Sequence, residues 1–426
     1  MQTTITASGK LTGSLTLPGD KSISHRYAIL ASLAKGASKI HNFSTGADCH
    51  STLQAIRDLG IPAELDGNIV SIHGAGLDGW REPHNSLDAG NSGSAIRMLA
   101  GPLAAQKFTS TIFGDESLSK RPMDRIIQPL NLMGAEIVAR DGRYPPLEIH
   151  GKPLRAIDYT LPMASAQVKT CVLFAGLFCE GETLVHEPMR TRDHTEIALR
   201  EFGAEIVSSR RVITLTGRPT LTGRELLVPS DLSSAAFFLV AALIVPGSDL
   251  VLRGVGLNPT RSTLLDFLIS IGAKIRIVNI EHANGEPVGD LQVTYGPIRG
   301  GVIAGETAAA LIDEIPVLAV LGALSETGLT VRDAAELRVK ETDRIATVVE
   351  NMRRMGVQAE ETPDGMIIPG GQRFRGARVD SFGDHRIAMA FAVAALTAEP
   401  ETVIENAEAA SVSFPEFYQL LEKAAA

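Results

Sequence analysis

Two kinds of side chain recur where this chain of 426 residues passes from a polar stretch into an apolar run. Together they describe a site for a small molecule carrying several negative charges. The first kind is a cation at a helix head. In G-D-K-S-I-S-H-R, residues 19–26, Asp20 and Ser22 are good N-cap types, and the run from Tyr27 to Leu33 supplies a buried stripe, so a helix starts here. Lys21, His25 and Arg26 then sit at the positive end of the helix dipole, where cations are disfavoured unless an anion joins them. More cations gather in S-K-R-P-M-D-R (Lys120, Arg121, Arg125), M-R-T-R-D-H (Arg190, Arg192) and L-R-V-K-E-T-D-R (Arg338, Lys340, Arg344). Arg matches the paired oxygens of phosphate or carboxylate, and Lys supplies a compact charge. Any one segment alone reads better as a solvated face; their grouping at heads and connections favours anion binding.

The second kind is a carboxylate in the same places. Asp313 and Glu314 open the otherwise apolar L-I-D-E-I-P helix, and Glu341 lies between Lys340 and Arg344. A carboxylate among cations stays ionised, whereas one in an apolar wall is raised towards neutrality and passes protons. Asp313 is equally suited to a structural N-cap, and His385, inside G-D-H-R-I-A, to a structural role.

Other chemistries lack support. G-A-G-L-D-G, residues 74–79, matches G-x-G-x-x-G, but Pro83 follows too closely for the helix a dinucleotide fold requires, so a turn is expected. No Walker A, H-E-x-x-H or G-x-S-x-G motif occurs.

The elements that must position these residues form one unit repeated six times: a polar head, an apolar helix, a Gly or Pro turn and a short β stretch. The heads are KSISHR, NSGSAIR, ASAQVK, SDLSSA, IDEIP and GDHR. A second, amphipathic helix follows, closed in five copies by Gly60, Gly134, Gly203, Gly272 and Gly356, the C-cap signal before a strand. The sixth copy ends after F-P-E-F-Y-Q-L-L, so the first 18 residues are expected to supply its missing strands. The alternative is a single α/β protein with accidental periodicity. Six repeats favour two α/β domains of three units: residues 1–18 with 229–426, and an inserted domain of residues 19–228. Two crossings at Pro/Asp/Ser turns would make a hinge, with the heads of both domains facing a cleft that closes on its anion.

Bulk properties narrow the class. A net charge of -9 argues against nucleic acid, and 44% hydrophobic with 21% charged residues is ordinary for a soluble globular protein. Cys49, Cys171 and Cys179 are odd in number and lack C-x-x-C spacing, which argues against disulfides and zinc and for a reducing compartment. With no signal-like N-terminus and no long apolar run, a cytoplasmic protein without a membrane partner is expected.

The motifs L-P-G-D-K-S-I-S-H-R, D-A-G-N-S-G-S-A-I-R, K-R-P-M, D-E-I-P, R-V-K-E-T-D-R and G-D-H-R-I-A-M-A, in this order and essentially end to end, resemble the 5-enolpyruvylshikimate-3-phosphate (EPSP) synthase family. The resemblance implies two inside-out, barrel-like α/β domains of three βαβαββ-type units joined by a two-stranded hinge. It also implies transfer of the enolpyruvyl group of phosphoenolpyruvate (PEP) to the 5-hydroxyl of shikimate 3-phosphate, in a monomer without metal or organic cofactor. By motif, Lys21, Ser22, Arg26, Ser165, Ala166, Gln167, Arg192, Asp313 and Lys340 resemble the shikimate 3-phosphate ligands. Lys21, Gly93, Arg121, Gln167, Arg344 and Arg386 resemble the PEP set. Glu341 resembles the acid at the PEP methylene carbon, Asp313 the base that holds the shikimate hydroxyls, and Lys21 completes the catalytic set.

Two features depart from the pattern. Val412 stands before S-F-P where some members have Lys, removing one expected phosphate contact. P-M-A-S-A-Q-V-K resembles the branch less sensitive to glyphosate, while Gly93 resembles the sensitive one. The competing readings are the sister transferase acting on UDP-N-acetylglucosamine, whose typical Cys is missing from G-D-E-S-L-S-K-R-P, and a non-catalytic anion-binding protein.

Overall fold

A computed structural model describes residues 1–425, and every apolar run named above is a helix in it. The chain opens with β1 (Gln2–Thr6) and β2 (Thr12–Thr16), then runs through α1 (Lys21–Leu33), β3 (Lys35–His41), α2 (Ala47–Asp58), β4 (Ala63–Asp66) and β5 (Ile69–Ala75). A complete repeat follows: β6 (Leu87–Asp88), α3 (Gly93–Ala104), β7 (Thr109–Phe113), α4 (Asp124–Leu132), β8 (Glu136–Arg140) and β9 (Tyr144–His150). Next come β10 (Asp158–Thr160), α5 (Ala166–Gly176), β11 (Glu182–His186), α6 (His194–Glu201), β12 (Ile206–Ser209) and β13 (Val212–Thr216). Then β14 (Glu225–Leu227) leads to α7 (Leu232–Ile244), β15 (Asp249–Gly256), α8 (Thr263–Ser270), β16 (Lys274–Ala283) and β17 (Glu286–Thr294). The fifth repeat is β18 (Gly301–Ile303), a short α9 (Gly305–Ala310), α10 (Ile315–Leu324), β19 (Leu329–Val331), α11 (Arg344–Arg354), β20 (Glu360–Thr362) and β21 (Gly365–Ile368). The last is β22 (Arg378–Asp380), α12 (His385–Ala395), β23 (Glu401–Glu405) and α13 (Phe417–Ala425).

Among the described residues these strands form five four-stranded sheets and one three-stranded sheet with a common order. In β6-β7-β9-β8 the first pair is parallel and the others antiparallel, and β10-β11-β13-β12 and β18-β19-β21-β20 repeat this. Two sheets exchange their first strands: β2 pairs in parallel with β15, and β14 with β3. The expectation that residues 1–18 supply both missing strands of the sixth repeat is therefore corrected. Only β1 joins that sheet, antiparallel to β23; β2 goes to the fourth, where its Leu15 is buried in the core that contains α7.

Contacts separate the chain into two units. One comprises Met1–Pro18, Pro229–His282 and the chain from Pro287; the other comprises Gly19–Val228 and Ala283–Glu286. Each has its own apolar core. In each, the long apolar helices lie inside and the sheets carry the exposed face: all of α7 is buried, whereas β9 alternates between buried and exposed residues. That division follows from composition, since each Leu, Ile or Phe removed from water contributes roughly 1.5–3 kcal/mol and these helices have no polar side to expose. The five glycines that close the second helices have φ from +78° to +103°, where any side chain would be strained. In G-A-G-L-D-G, Gly74 and Ala75 end β5 and the rest forms a turn, and the next regular element is β6.

The spacing of α3 and α5 fixes two of the polar heads discussed below, and it depends on Gly101. A Cβ there would lie 2.3 Å from the Cys171 carbonyl oxygen and 3.2 Å from Ala175 N, both backbone atoms that a side-chain rotation cannot clear. Gly101→Ala is expected to cost about 1–3 kcal/mol, despite the higher helix propensity of Ala, read as a lower urea midpoint. An unchanged midpoint would mean that the two helices are not closely packed there.

Candidate active site

In the unit holding residues 19–228, the heads of α1, α3 and α5 are joined by side chains. Asp20 caps α1 by accepting from Ile23 N at 2.9 Å, Ser92 caps α3 and Ser165 caps α5. Lys21 Nζ pairs with Asp48 Oδ2 at 2.8 Å, Asp48 coming from the first turn of α2. Arg26 is 1% exposed and donates to Ser22 O, Thr170 Oγ1 and Thr195 Oγ1 at 2.7–2.8 Å. All three acceptors are neutral. Burial therefore lowers the Arg26 pKa to about 10, although Asp20 and Glu196 oppose the shift.

Gln167, in the first turn of α5, accepts from Arg97 Nη1 at 2.6 Å and donates to Ser94 Oγ at 3.0 Å, tying the heads of α3 and α5 together. Arg121 is held by Asn91 and Ser117, its Nη2 lying 2.8 Å from Asn91 Oδ1. Gly93 begins α3 against these cations: a Cβ there would lie 3.0 Å from Arg97 Nη1 and 3.5 Å from Arg121 Nη1. A side chain at this position would crowd both guanidinium groups. Ser22, Ala166 and Arg192 are half-buried, Arg192 in the segment between β11 and α6.

In the unit with both chain ends, Arg344 is the centre. It begins α11, is 1% exposed, and meets Asp384 through Nε at 2.8 Å and Glu341 through Nη2 at 2.6 Å. Burial works against its charge, but Asp384 and Glu341 outweigh burial and raise its pKa. Asp384 is completely buried. Burial would raise its pKa, yet Arg344 keeps it below the usual carboxylate range, and its side chain caps α12 by accepting from Arg386 N. Arg344 Nη1 has no hydrogen-bond partner, and Asp313 Oδ1 stands 3.7 Å from it.

Asp313 gathers cations. Lys340 Nζ is 3.8 Å from Oδ1, Arg386 Nη2 is 4.0 Å from Oδ2, and Arg386 Nη1 donates to the Asp313 carbonyl at 2.9 Å. Burial lowers the Lys340 pKa, with Asp313 opposing. Behind them Glu314 is buried, hydrogen-bonded to Ser233 Oγ and 3.9 Å from Arg386 Nη1, while Arg261 reaches the same hydroxyl. Asp313 is not the N-cap of α10; Glu314 occupies that position.

The structure thus brings Lys21, Ser22, Arg26, Gly93, Arg121, Ser165, Ala166 and Gln167 to helix heads and connections of one unit. It gathers Asp313, Lys340, Glu341, Arg344 and Arg386 in the other. It does not gather every cation of the quoted motifs. Lys120 pairs with Glu116 in solvent, exposed Arg190 with Asp193, and Arg338 with Asp343 and Glu361. Side chains missed by sequence reasoning are those that hold the cations, Asp48, Thr170, Thr195 and Asp384, and two further cations, Arg97 on Gln167 and Arg261 on Ser233. Asp384 alone had a signal, standing before an apolar run as an N-cap should. His25 is fully buried with Nδ1 2.7 Å from Thr52 Oγ1, and His385 is buried in the first turn of α12.

Comparison with known proteins adds an independent line. The family model for EPSP synthase (3-phosphoshikimate 1-carboxyvinyltransferase) matches residues 5–421. The 3-phosphoshikimate 1-carboxyvinyltransferase of Solibacter usitatus (strain Ellin6076) is 68% identical over 425 residues, covering 100% of both chains. That of Koribacter versatilis (strain Ellin345) is 50% identical, covering 96% of each. The solved EPSP synthase of Acinetobacter baumannii superposes with a TM-score of 0.89 at 43% identity, covering 99% of this chain and 98% of that one. The enolpyruvyl transferase NikO of Streptomyces tendae, at 16% identity and a TM-score of 0.79, shares the fold over 99% of this chain and 96% of its own.

His25 provides a test of how firmly the α1 head excludes water. Burial, with Lys21 and Arg26 adding repulsion and Asp20 opposing, lowers its pKa from 6.5 to about 3. Below pH 6.5 the unfolded chain binds a proton that the fold refuses until about pH 3, so stability falls as pH drops through that window. Between pH 7.5 and pH 5 the wild type should lose about 2 kcal/mol more than His25→Asn, measured by urea unfolding at both values. Equal losses would mean that His25 is accessible to protons in the folded state.

Proposed function

From membership of the EPSP synthase family, to which this chain belongs, we propose how its residues divide one reaction. The reaction is that of a 3-phosphoshikimate 1-carboxyvinyltransferase: the enolpyruvyl group of PEP passes to the 5-hydroxyl of shikimate 3-phosphate, and inorganic phosphate leaves. The observation that carries the assignment is Arg344, a buried guanidinium with two carboxylates on two nitrogens and a third nitrogen without a hydrogen-bond partner beside Asp313.

The PEP phosphate and carboxylate are assigned to Lys21, Arg121, Arg344 and Arg386, with Gln167 and the space left by Gly93 completing the set. Shikimate 3-phosphate is assigned to Lys21, Ser22, Arg26, Ser165, Ala166, Gln167 and Arg192, with its hydroxyls at Asp313 and Lys340. Arg26 supports this division, because its hydrogen bonds go only to neutral acceptors and a phosphate would add a directly bonded anion.

Chemistry then follows from charge. PEP methylene carbon must gain a proton as the 5-hydroxyl oxygen bonds to the adjacent carbon, and it must return that proton as phosphate departs. Glu341 serves as this acid and base, and Asp313 takes the hydroxyl proton. In the free protein Arg344 favours ionised Glu341. An anion arriving at Arg344 Nη1 shares that positive charge and makes proton uptake by Glu341 easier. The fixed cations stabilise the phosphate as its charge shifts, without the reorganisation that water would need.

Three buried free thiols support a reducing, cytoplasmic setting. Among the described residues no helix is long and apolar enough to cross a membrane.

Phosphate release from PEP, with shikimate 3-phosphate or UDP-N-acetylglucosamine as acceptor, tests the assignment. Release is expected only with shikimate 3-phosphate, and Asp313→Ala and Glu341→Ala should each lower kcat by roughly 10²- to 10⁴-fold. Wild-type rates in both variants would overturn the acid and base roles, and release with the sugar nucleotide alone would overturn the acceptor.

A further inference from the structure

Lys169 lies one turn into α5, and its side chain is 0% exposed. A buried ammonium is costly unless paired, and here it meets two buried carboxylates, Glu187 Oε1 at 3.0 Å and Glu196 Oε1 at 2.7 Å. Glu187 Oε1 also accepts from Thr191 N at 3.2 Å and from Thr191 Oγ1. One oxygen therefore fastens the turn from Glu187 to Asp193, and Arg192 is the residue after Thr191. Glu187, Thr191, Glu196 and Arg211 also line an open surface pocket of about 360 Å³. The bonds to Glu187 are thus the polar anchors of this turn.

The second carboxylate points to the same ligand. Glu196 is adjacent in α6 to Thr195, and Lys169 is adjacent in α5 to Thr170; Thr170 and Thr195 share a 2.6 Å hydrogen bond and together accept from Arg26. Two neighbouring rungs thus join α5 to α6, one ionic and one made of hydroxyls around Arg26. Burial raises the Glu196 pKa, with Lys169 opposing.

We propose that Lys169 is a positioning residue for shikimate 3-phosphate: through Glu187 it fixes the turn that presents Arg192, and through Glu196 it fixes the rung that orients Arg26. This rests on the reading of Arg192 and Arg26 as ligands of that substrate. The bonds described run among Lys169, Glu187, Glu196 and Thr191 and towards Arg26 and Arg192, so their removal should separate the two substrates.

Steady-state kinetics with each substrate varied tests this in Lys169→Met, Thr191→Val, Thr191→Ser and Arg192→Ala. Thr191→Val changes only the half-buried turn and covers the case in which Lys169→Met fails to fold. Lys169→Met and Thr191→Val should raise the KM for shikimate 3-phosphate roughly tenfold, with the PEP KM and kcat moving by less than about threefold. Thr191→Ser, which keeps the hydroxyl, should restore the wild-type KM. A merely structural role would lower the active fraction, and hence kcat, with both KM values unchanged; that result overturns the proposal. Wild-type kinetics in Thr191→Val, with a raised shikimate 3-phosphate KM in Arg192→Ala, also overturns it while leaving the ligand reading intact. An unchanged KM in Arg192→Ala overturns that reading and the proposal with it.

Discussion

Positive charge held at the positive ends of buried helices is the constraint on which the rest of this molecule depends. An N-terminal helix end already carries unpaired N–H groups, and a guanidinium beside it adds repulsion and a desolvation cost. The two units meet this cost differently. At α11 and α12, Arg344 is held by the buried Asp384 and by Glu341, so its charge is balanced before any substrate arrives. At α1, Arg26 bonds only hydroxyls and a carbonyl, and Asp20 and Glu196 act on its charge without a direct bond, so the charge is balanced less fully. A balanced guanidinium can tune a neighbouring carboxylate; on the proposed assignment the less balanced one takes phosphate.

The repeat explains how such cations are held rigidly. A helix that is apolar all round, as in α7, α10 and α12, must be buried, and burying three of them side by side leaves their heads as the polar part of each core. The N-caps are supplied by Asp20, Ser92, Ser165, Asp231 and Asp384. They satisfy first-turn N–H groups, and at α12 the same Asp384 carboxylate also holds Arg344. Close backbone contact at Gly101 and the Arg97–Gln167–Ser94 bonds fix α3 to α5 at the point where Gly93 leaves its gap.

Much of this was legible in the residues. Apolar helices, their heads and the closing glycines are local signals, because periodicity, N-cap types and positive-φ glycine act within a few residues. Lys21 and Arg26 stood out as cations placed where local rules disfavour them, and Asp313 and Arg344 as opposite charges gathered at helix heads and connections. What the sequence hid is non-local. Thr170 and Thr195 read as ordinary hydroxyls until the fold sets them against Arg26, 144 and 169 residues away. Strand exchange between β2 and β14 was equally hidden, since β strands of similar pattern carry no label for their partner. Lys120 and Arg190 misled for the opposite reason: their motifs hold cations of both kinds, and only solvent exposure separates the solvated from the held.

The central claim is that Arg26 is kept for its ligand at the expense of the fold. Urea unfolding of Arg26→Met and the wild type, with and without saturating shikimate 3-phosphate, tests it most directly. Without ligand, the variant should be at least as stable as the wild type, because a buried charge with neutral partners is replaced by an apolar side chain of similar length. With ligand at about 100 times its Kd, the wild type should gain about 2.7 kcal/mol and the variant almost nothing. A variant that is strongly destabilised, yet gains as much from the ligand as the wild type, would show that Arg26 serves the fold and contradict the account.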